Sequence, residues 1–220
     1  MTEDRHADTA QMAEQYQHLL LEGNRDAATR LVMEALDGGL SISRLYLEVF
    51  QHTQHRIGDL WQANRISVAM EHYCTAATQL IMASIFPRIM GDGSANRTVV
   101  GCCANTEIHE LGIRMVCDFF EMENWTTQFL GSGMPNDDVV SFLDRHNADV
   151  LCISCTTTYN TRRVKELIDA VRSTFGHKAP PVMVGGRPFT MAPDLVSAVG
   201  ADAWAPDALQ AVKVGKDLTQ

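Results

Sequence analysis

A histidine beside carboxylates, a serine closing an apolar run and a glycine pair closing another can together hold a metal-bearing ligand. They occur here as Glu107-Ile-His109-Glu-Leu-Gly112, Ser154-Cys-Thr156 and Gly185-Gly186. Forty-one residues lie between Gly112 and Ser154, and 28 between Thr156 and Gly185. A neutral imidazole gives one nitrogen to a metal while the other donates a hydrogen bond, usually to a carboxylate. Glu107 either supplies that carboxylate or contacts the ligand's rim. Gly112 lets a helix start close against a ligand, where N–H groups around positions 110 to 113 can bond a phosphate or amide. Ser154 offers a hydroxyl at the bottom of a slot, and Gly185 and Gly186 leave room for a ligand's tail along the backbone. The set suits a large ligand carrying both a metal and a phosphate.

Such residues act together only if the chain brings them to one crevice. Residues 97–216 alternate strand and helix patterns, with strands expected at Thr98–Cys103, Thr126–Leu130, Val150–Ser154, Val182–Val184 and Ala201–Ala205. Helices are expected from about His109 to Phe120, Asp137 to His146 and Arg162 to Phe175, with Pro206 in the first turn of a last one. This alternation predicts a parallel sheet covered on both faces, with ligands at the carboxyl ends of its strands. All three motif pieces fall at such ends. Residues 9–90 carry helical periodicity instead. Met12, Tyr16, Leu19 and Leu20 share a face, as do Ala27, Leu31, Ala35 and Leu36, with breaks at Gly23-Asn24 and Gly38-Gly39. Ser43 is expected to open a third helix through Leu47, Phe50, Ile57 and Leu60, and Ser67 to cap a fourth reaching Pro87. The predicted fold class is α/β: a four-helix bundle, a linker at Gly91–Asn96, then a Rossmann-like, flavodoxin-like five-stranded domain.

Composition narrows the functions. A formal charge of −9 with no basic run argues against direct nucleic-acid binding. No apolar run approaches 18 residues and the start of the chain is polar, so neither a membrane span nor a signal peptide is expected. The six cysteines lie mostly in apolar runs, as reduced thiols of a cytoplasmic protein would. Cys152-Ile-Ser-Cys155 has dithiol spacing, but a strand points its two sulfurs to opposite faces.

The spaced motif resembles the signature of the cobalamin-binding domain, found in isomerases, methionine synthase and corrinoid carriers. That resemblance implies His109 as the cobalt ligand, Ser154 and Thr156 near the displaced benzimidazole, and Gly185 and Gly186 along the nucleotide tail. Upstream, Trp61 and Glu71-His72 stand in a W-x9-E-H pattern. This is similar to the light-sensing cobalamin repressors of the CarH type, where such residues enclose the adenosyl group of adenosylcobalamin. The resemblance spans about residues 10 to 215 and implies a photoreceptor whose bundle caps the upper face of the corrin. Only about eight polar residues precede the bundle, so no DNA-binding domain is expected. Output would then pass through a transcription factor or other partner protein, as in the AerR type, or through a homo-oligomer. Gln62 replaces a histidine that some members use to capture cobalt after photolysis. Two alternatives remain open: a photocobilin that adds biliverdin, and a corrinoid carrier of a methyltransferase system.

Overall fold

The computed structural model describes residues 3–220, with side chains from Thr9 onward. It divides into two units, Met1–Pro87 and Arg88–Gln220.

The first unit is helical: α1 (Glu3–Leu21), α2 (Arg25–Asp37), α3 (Ile42–Arg44), α4 (His52–Gln62) and α5 (Val68–Ile85). A π-helical segment, Leu45–Gln51, joins α3 to α4 without a break. Hydroxyl and amide caps set the starts: Asn24 Oδ1 accepts from Ala27 N, and Ser67 Oγ accepts from Met70 N at 3.2 Å. The third cap is Ser41, whose hydroxyl accepts from Arg44 N; Ser43, expected in that role, lies inside the helix. The buried stripe of α2 is Ala28, Val32 and Leu36, one residue round from the expected face. Leu45, Tyr46, Val49 and Phe50 of the π-helical segment are all fully buried. They form the core with Tyr16 and Leu20 of α1, Ile57 of α4, and Ile81, Met82 and Ile85 of α5. Buried hydroxyls there are satisfied, Tyr16 Oη lying 2.9 Å from Thr78 Oγ1.

The second unit is a five-stranded parallel sheet of β1 (Thr98–Cys103), β2 (Thr126–Gly131), β3 (Val150–Ser154), β4 (Val182–Gly185) and β5 (Ala203–Ala205). Its spatial order is β2-β1-β3-β4-β5. Helices α6 (Leu111–Met122), α7 (Asn136–His146), α8 (Thr161–Phe175), α9 (Arg187–Met191), α10 (Asp194–Val199) and α11 (Ala208–Leu218) complete it. On one face Val100, Cys102, Leu151, Ile153, Val182 and Val184 pack with Val139 and Leu143 of α7 and Val164, Leu167, Ile168 and Val171 of α8. On the other, Gly101 lies under Cys117 and Ile113 of α6, where a Cβ would come within 2.5 Å of the Cys117 sulfur. Gly215 of α11 meets the Phe120 ring of α6 in the same way.

The expected α/β class and strand succession hold, with local differences. The helix after β1 begins at Leu111, so His109 stands in the loop. Pro206 precedes the cap of the last helix: Asp207 caps it, its carboxylate accepting from Gln210 N at 2.8 Å. The short helices α9 and α10 carry too few residues to show a period. All six cysteines are buried and free; Cys155 sits in the core with Leu151 and Ile153, while Cys152 pairs in register with Gly101. No described helix is long and apolar enough to cross a membrane.

Candidate functional site

Chain order reverses direction across the sheet between β1 and β3. Loops leaving these two strands therefore diverge and open a crevice at their carboxyl ends. Cys103 pairs with Ser154, and Ser154 with Gly185, so all three loops start at one level of the sheet. The β1 loop is tied down at both ends. Ala104 N donates to Ser154 O at 3.0 Å and Glu107 N to Ala104 O at 2.8 Å. Beyond the histidine, Glu110 accepts from Ser132 N of the β2 loop at 3.0 Å.

Glu107 is the centre of this arrangement and only 1% exposed. Its Oε1 lies 2.5 Å from His109 Nδ1 and accepts from His109 N at 3.1 Å. Its Oε2 accepts from Thr156 N at 2.9 Å, Thr157 N at 3.2 Å and Asn160 Nδ2 at 3.1 Å. Burial alone would raise this carboxyl, but the hydrogen bonds from His109, Asn160 and Thr156 outweigh it and hold the group well below the usual carboxylate range. An ionised carboxylate only accepts, so Nδ1 of His109 carries the proton and Nε2 is the nitrogen suited to a metal. The side chain of His109 is 34% exposed, at the mouth rather than in the core.

Glu107, His109 and Thr156 thus meet directly, Thr156 through its backbone. Gly112 and Ser154 face each other: a Cβ at Gly112 would sit 3.8 Å from the Ser154 hydroxyl. Ser154 is 9% exposed. Gly186 has φ +107°, and a Cβ there would lie 2.0 Å from the carbonyl oxygen of Cys155. Its bare backbone is what lets the β4 loop cross the β3 loop. Gly185 is less constrained, its Cβ position 3.3 Å from Ala205 O.

Trp61, Glu71 and His72 belong to the helical unit. Trp61 ends the exposed side of α4 and is 38% exposed. Glu71 ends the first turn of α5 and His72 begins the second, with His72 Nδ1 2.6 Å from Glu71 Oε2. Thr75 Oγ1 lies 3.2 Å from Glu71 Oε1 and equally close to Gln54 Oε1, bracing the pair.

Asn160 was not foreseen: it follows Ser154 by six residues, a spacing that carries no periodic signal, yet its amide completes the Glu107 shell. Ile108, Tyr159 and Met191 were also missed. They are 62, 84 and 74% exposed, Ile108 on the loop after β1, Tyr159 in a 3-10 turn after β3 and Met191 at the end of α9, where nothing in a single sequence distinguishes an exposed apolar residue from a core one.

Among the described residues no group of three or more His, Cys, Asp or Glu could cage a metal ion. What the β1 loop offers at the mouth of this crevice is one imidazole backed by a buried carboxylate. It fits a metal that arrives with its own equatorial ligands, such as a macrocycle supplies. Fold and site therefore define a parallel α/β domain built for a metallated ring.

Comparison with known proteins gives the family. Residues 97–213 match a B12 binding domain, and residues 12–85 match a second B12 binding domain model. The chain belongs to the B12-binding domain family. Monomethylamine corrinoid protein 2 of Methanosarcina acetivorans is 23% identical over 210 residues, covering 93% of this chain and 96% of that protein. A corrinoid protein of Desulfitobacterium hafniense is 20% identical over 211 residues, 94% of this chain and 97% of its own length. Among solved structures, the Methanosarcina barkeri monomethylamine corrinoid protein shares the fold with a TM-score of 0.83 at 21% identity, covering 94% of this chain and 98% of that one.

These relatives overturn the expected photoreceptor. All are corrinoid proteins, those of Methanosarcina named for monomethylamine, and a further structural match, at TM-score 0.52 and 16% identity, is the methanol:cobalamin methyltransferase complex of Methanosarcina barkeri. Light sensing and transcriptional control rested on the W-x9-E-H spacing, a pattern of three residues on two helices. Adenosylcobalamin and biliverdin entered with that reading. The methyltransferase carrier, weighed as an alternative, is what the full-length likeness favours.

Proposed function

We propose that this chain is the corrinoid-carrying component of a methyltransferase system, with a separate methyltransferase protein as its partner. The bound corrinoid supplies a cobalt centre that can accept and release a methyl group. His109 Nε2 would bind that cobalt. Glu107 keeps Nδ1 protonated and the ring turned, which makes the imidazole a stronger donor. Ser154, opposite Gly112, would take the displaced base of the nucleotide tail, and Gly185-Gly186 would let the tail lie on the backbone. Thr156 contributes the amide that fixes Glu107. Ile108, Tyr159 and Met191 offer an apolar rim for the ring's edge. Trp61, Glu71 and His72 are retained as proposed ligand contacts from the helical unit.

The observation that carries this reading is the 2.5 Å contact of His109 Nδ1 with a buried carboxylate at the switch point of a B12-binding fold. It is tested by loading the protein with hydroxocobalamin and passing it through gel filtration. Wild type should retain about one corrinoid and show an imidazole-ligated spectrum, and His109→Ala should lose that spectrum. Methylated holoprotein should then pass its methyl group to a thiol acceptor when a methyltransferase partner is added, the thiol becoming a thioether with loss of its proton and the cobalt keeping the bond's electron pair. Retention of corrinoid by His109→Ala with an unchanged spectrum would remove His109 from the metal.

A further inference from the structure

Thr106 sits where threonine is a poor choice. Its φ is +73°, a left-handed backbone that a β-branched side chain resists. The other described non-glycine residues with positive φ are Asn64, Asn96, Asn124 and Asn147, all of the type that tolerates it best. Asparagine or glycine at position 106 would relieve the strain, so the threonine must supply something else. Its hydroxyl donates to Asn160 Oδ1 at 2.9 Å.

That contact bears on which end of the Asn160 amide faces Glu107. Asn160 is 6% exposed, and its Nδ2 donates to Glu107 Oε2 at 3.1 Å. A flipped amide would set its oxygen against a carboxylate, two acceptors in a site with little water to separate them. Thr106 holds the oxygen end away from Glu107 by giving it a donor of its own. We propose that Thr106 is a positioning residue for the axial imidazole: its hydroxyl fixes the Asn160 amide, which fixes the Glu107 carboxylate, which fixes His109. This rests on the reading of His109 as the cobalt ligand.

Three variants separate hydroxyl, shape and strain. Thr106→Ser keeps the hydroxyl, Thr106→Val keeps the shape without it, and Thr106→Gly removes both hydroxyl and strain. Each is titrated with cobalamin, and the cobalt(II) form is examined by EPR for nitrogen hyperfine splitting from the imidazole. Thr106→Val and Thr106→Gly should bind about tenfold more weakly, as loss of an outer partner of a metal ligand does, with reduced imidazole splitting. Thr106→Ser should match wild type. Thr106→Gly should melt above Thr106→Val in the ligand-free state although both bind equally weakly, which a purely structural role does not produce. Wild-type affinity and splitting in the valine and glycine variants overturn the proposal. If wild type itself lacks nitrogen splitting, the cobalt reading fails instead. The Asn160 step is then judged in ligand-free protein, where the side-chain amide signals of Asn160 must shift in Thr106→Val and stay in Thr106→Ser.

Discussion

Replacing Glu107 by Gln tests whether one carboxylate holds His109 and the β3 loop together. The substitution keeps size and shape but leaves one acceptor oxygen where there were two. With that oxygen toward His109, the new NH2 group meets the donors of Thr156, Thr157 and Asn160, which lie 2.9, 3.2 and 3.1 Å from Oε2 in the native protein. With the amide reversed, NH2 meets Nδ1 of His109 and forces the other tautomer. Either way at least one buried donor is unmatched, at about 1–3 kcal/mol each. We expect Glu107→Gln to lose about 2–3 kcal/mol of stability in the sheet unit. Glu107→Ala orphans every donor and should lose about 3–5 kcal/mol even after water enters the vacated space. Corrinoid affinity should fall about 10- to 100-fold in both. Urea unfolding in a Trp61→Phe background, followed by emission of Trp125 and Trp204, measures the first quantity, and cobalamin titration by absorbance measures the second. A Glu107→Gln protein with wild-type midpoint and wild-type affinity would refute the reasoning, because no orientation of glutamine satisfies both donor sets.

Other outcomes follow from the same geometry. Gly186→Ala should cost at least about 3 kcal/mol by thermal melting, because its Cβ would lie 2.0 Å from the Cys155 oxygen at a strained φ; Gly185→Ala, facing Ala205 O at 3.3 Å, should cost about 1–2 kcal/mol. Phe50→Ala, in the fully buried π-helical segment, should cost about 3–5 kcal/mol and lower the first unfolding transition if the two units melt separately. Burial pushes the Cys74 thiol up to about 11 and those of Cys102 and Cys155 up to about 12. A thiol reagent at pH 8 should therefore label native protein slowly and all six cysteines after denaturation. The unfolded chain ionises these thiols near the ordinary value of 9 while the folded one holds its protons, so stability is full below that pH and falls as pH rises from 9 toward 12.

Strand succession and the carboxyl-end crevice were legible because a parallel sheet buried on both faces writes itself as short apolar runs at regular intervals. The histidine motif was legible because its chemistry is rare. Helix faces in the first unit were harder. The stripe of α2 was misjudged by one residue because Ala27 and Ala28, or Leu31 and Val32, are alike in hydrophobicity and only packing chooses between them. The π-helical segment Leu45–Gln51 shifts the register of its helix, so the expected Leu47 and Leu60 give way to Leu45, Tyr46 and Val49. Asn160 and Thr106 act through single hydrogen bonds across more than fifty residues, and no period in the chain announces such a pair. The function was misread for a related reason. The helix-then-sheet layout behind the photoreceptor resemblance is shared with corrinoid proteins along nearly the whole chain, so only Trp61 and Glu71-His72 separated the two readings, and a spacing among three residues fits many helical hairpins.

A protein that cages a bare ion needs several donors at fixed distances, and their geometry sets its selectivity. Under the proposed reading a corrinoid would bring its own donors, so the protein need fix only one atom, His109 Nε2, and the direction in which it points. That places the demand on orientation rather than on ligand count. A surface imidazole alone would rotate about two bonds; the buried carboxylate removes that freedom by taking Nδ1 with one oxygen and anchoring the other oxygen to donors of Thr156, Thr157 and Asn160. The two oxygens of Glu107 therefore join His109 to the loop that begins at Ser154, so displacement of either end is felt at the other. His109 and the start of the β3 loop are thus braced as one unit, and with the helix after β1 starting only at Leu111, His109 stands on a loop held from both sides.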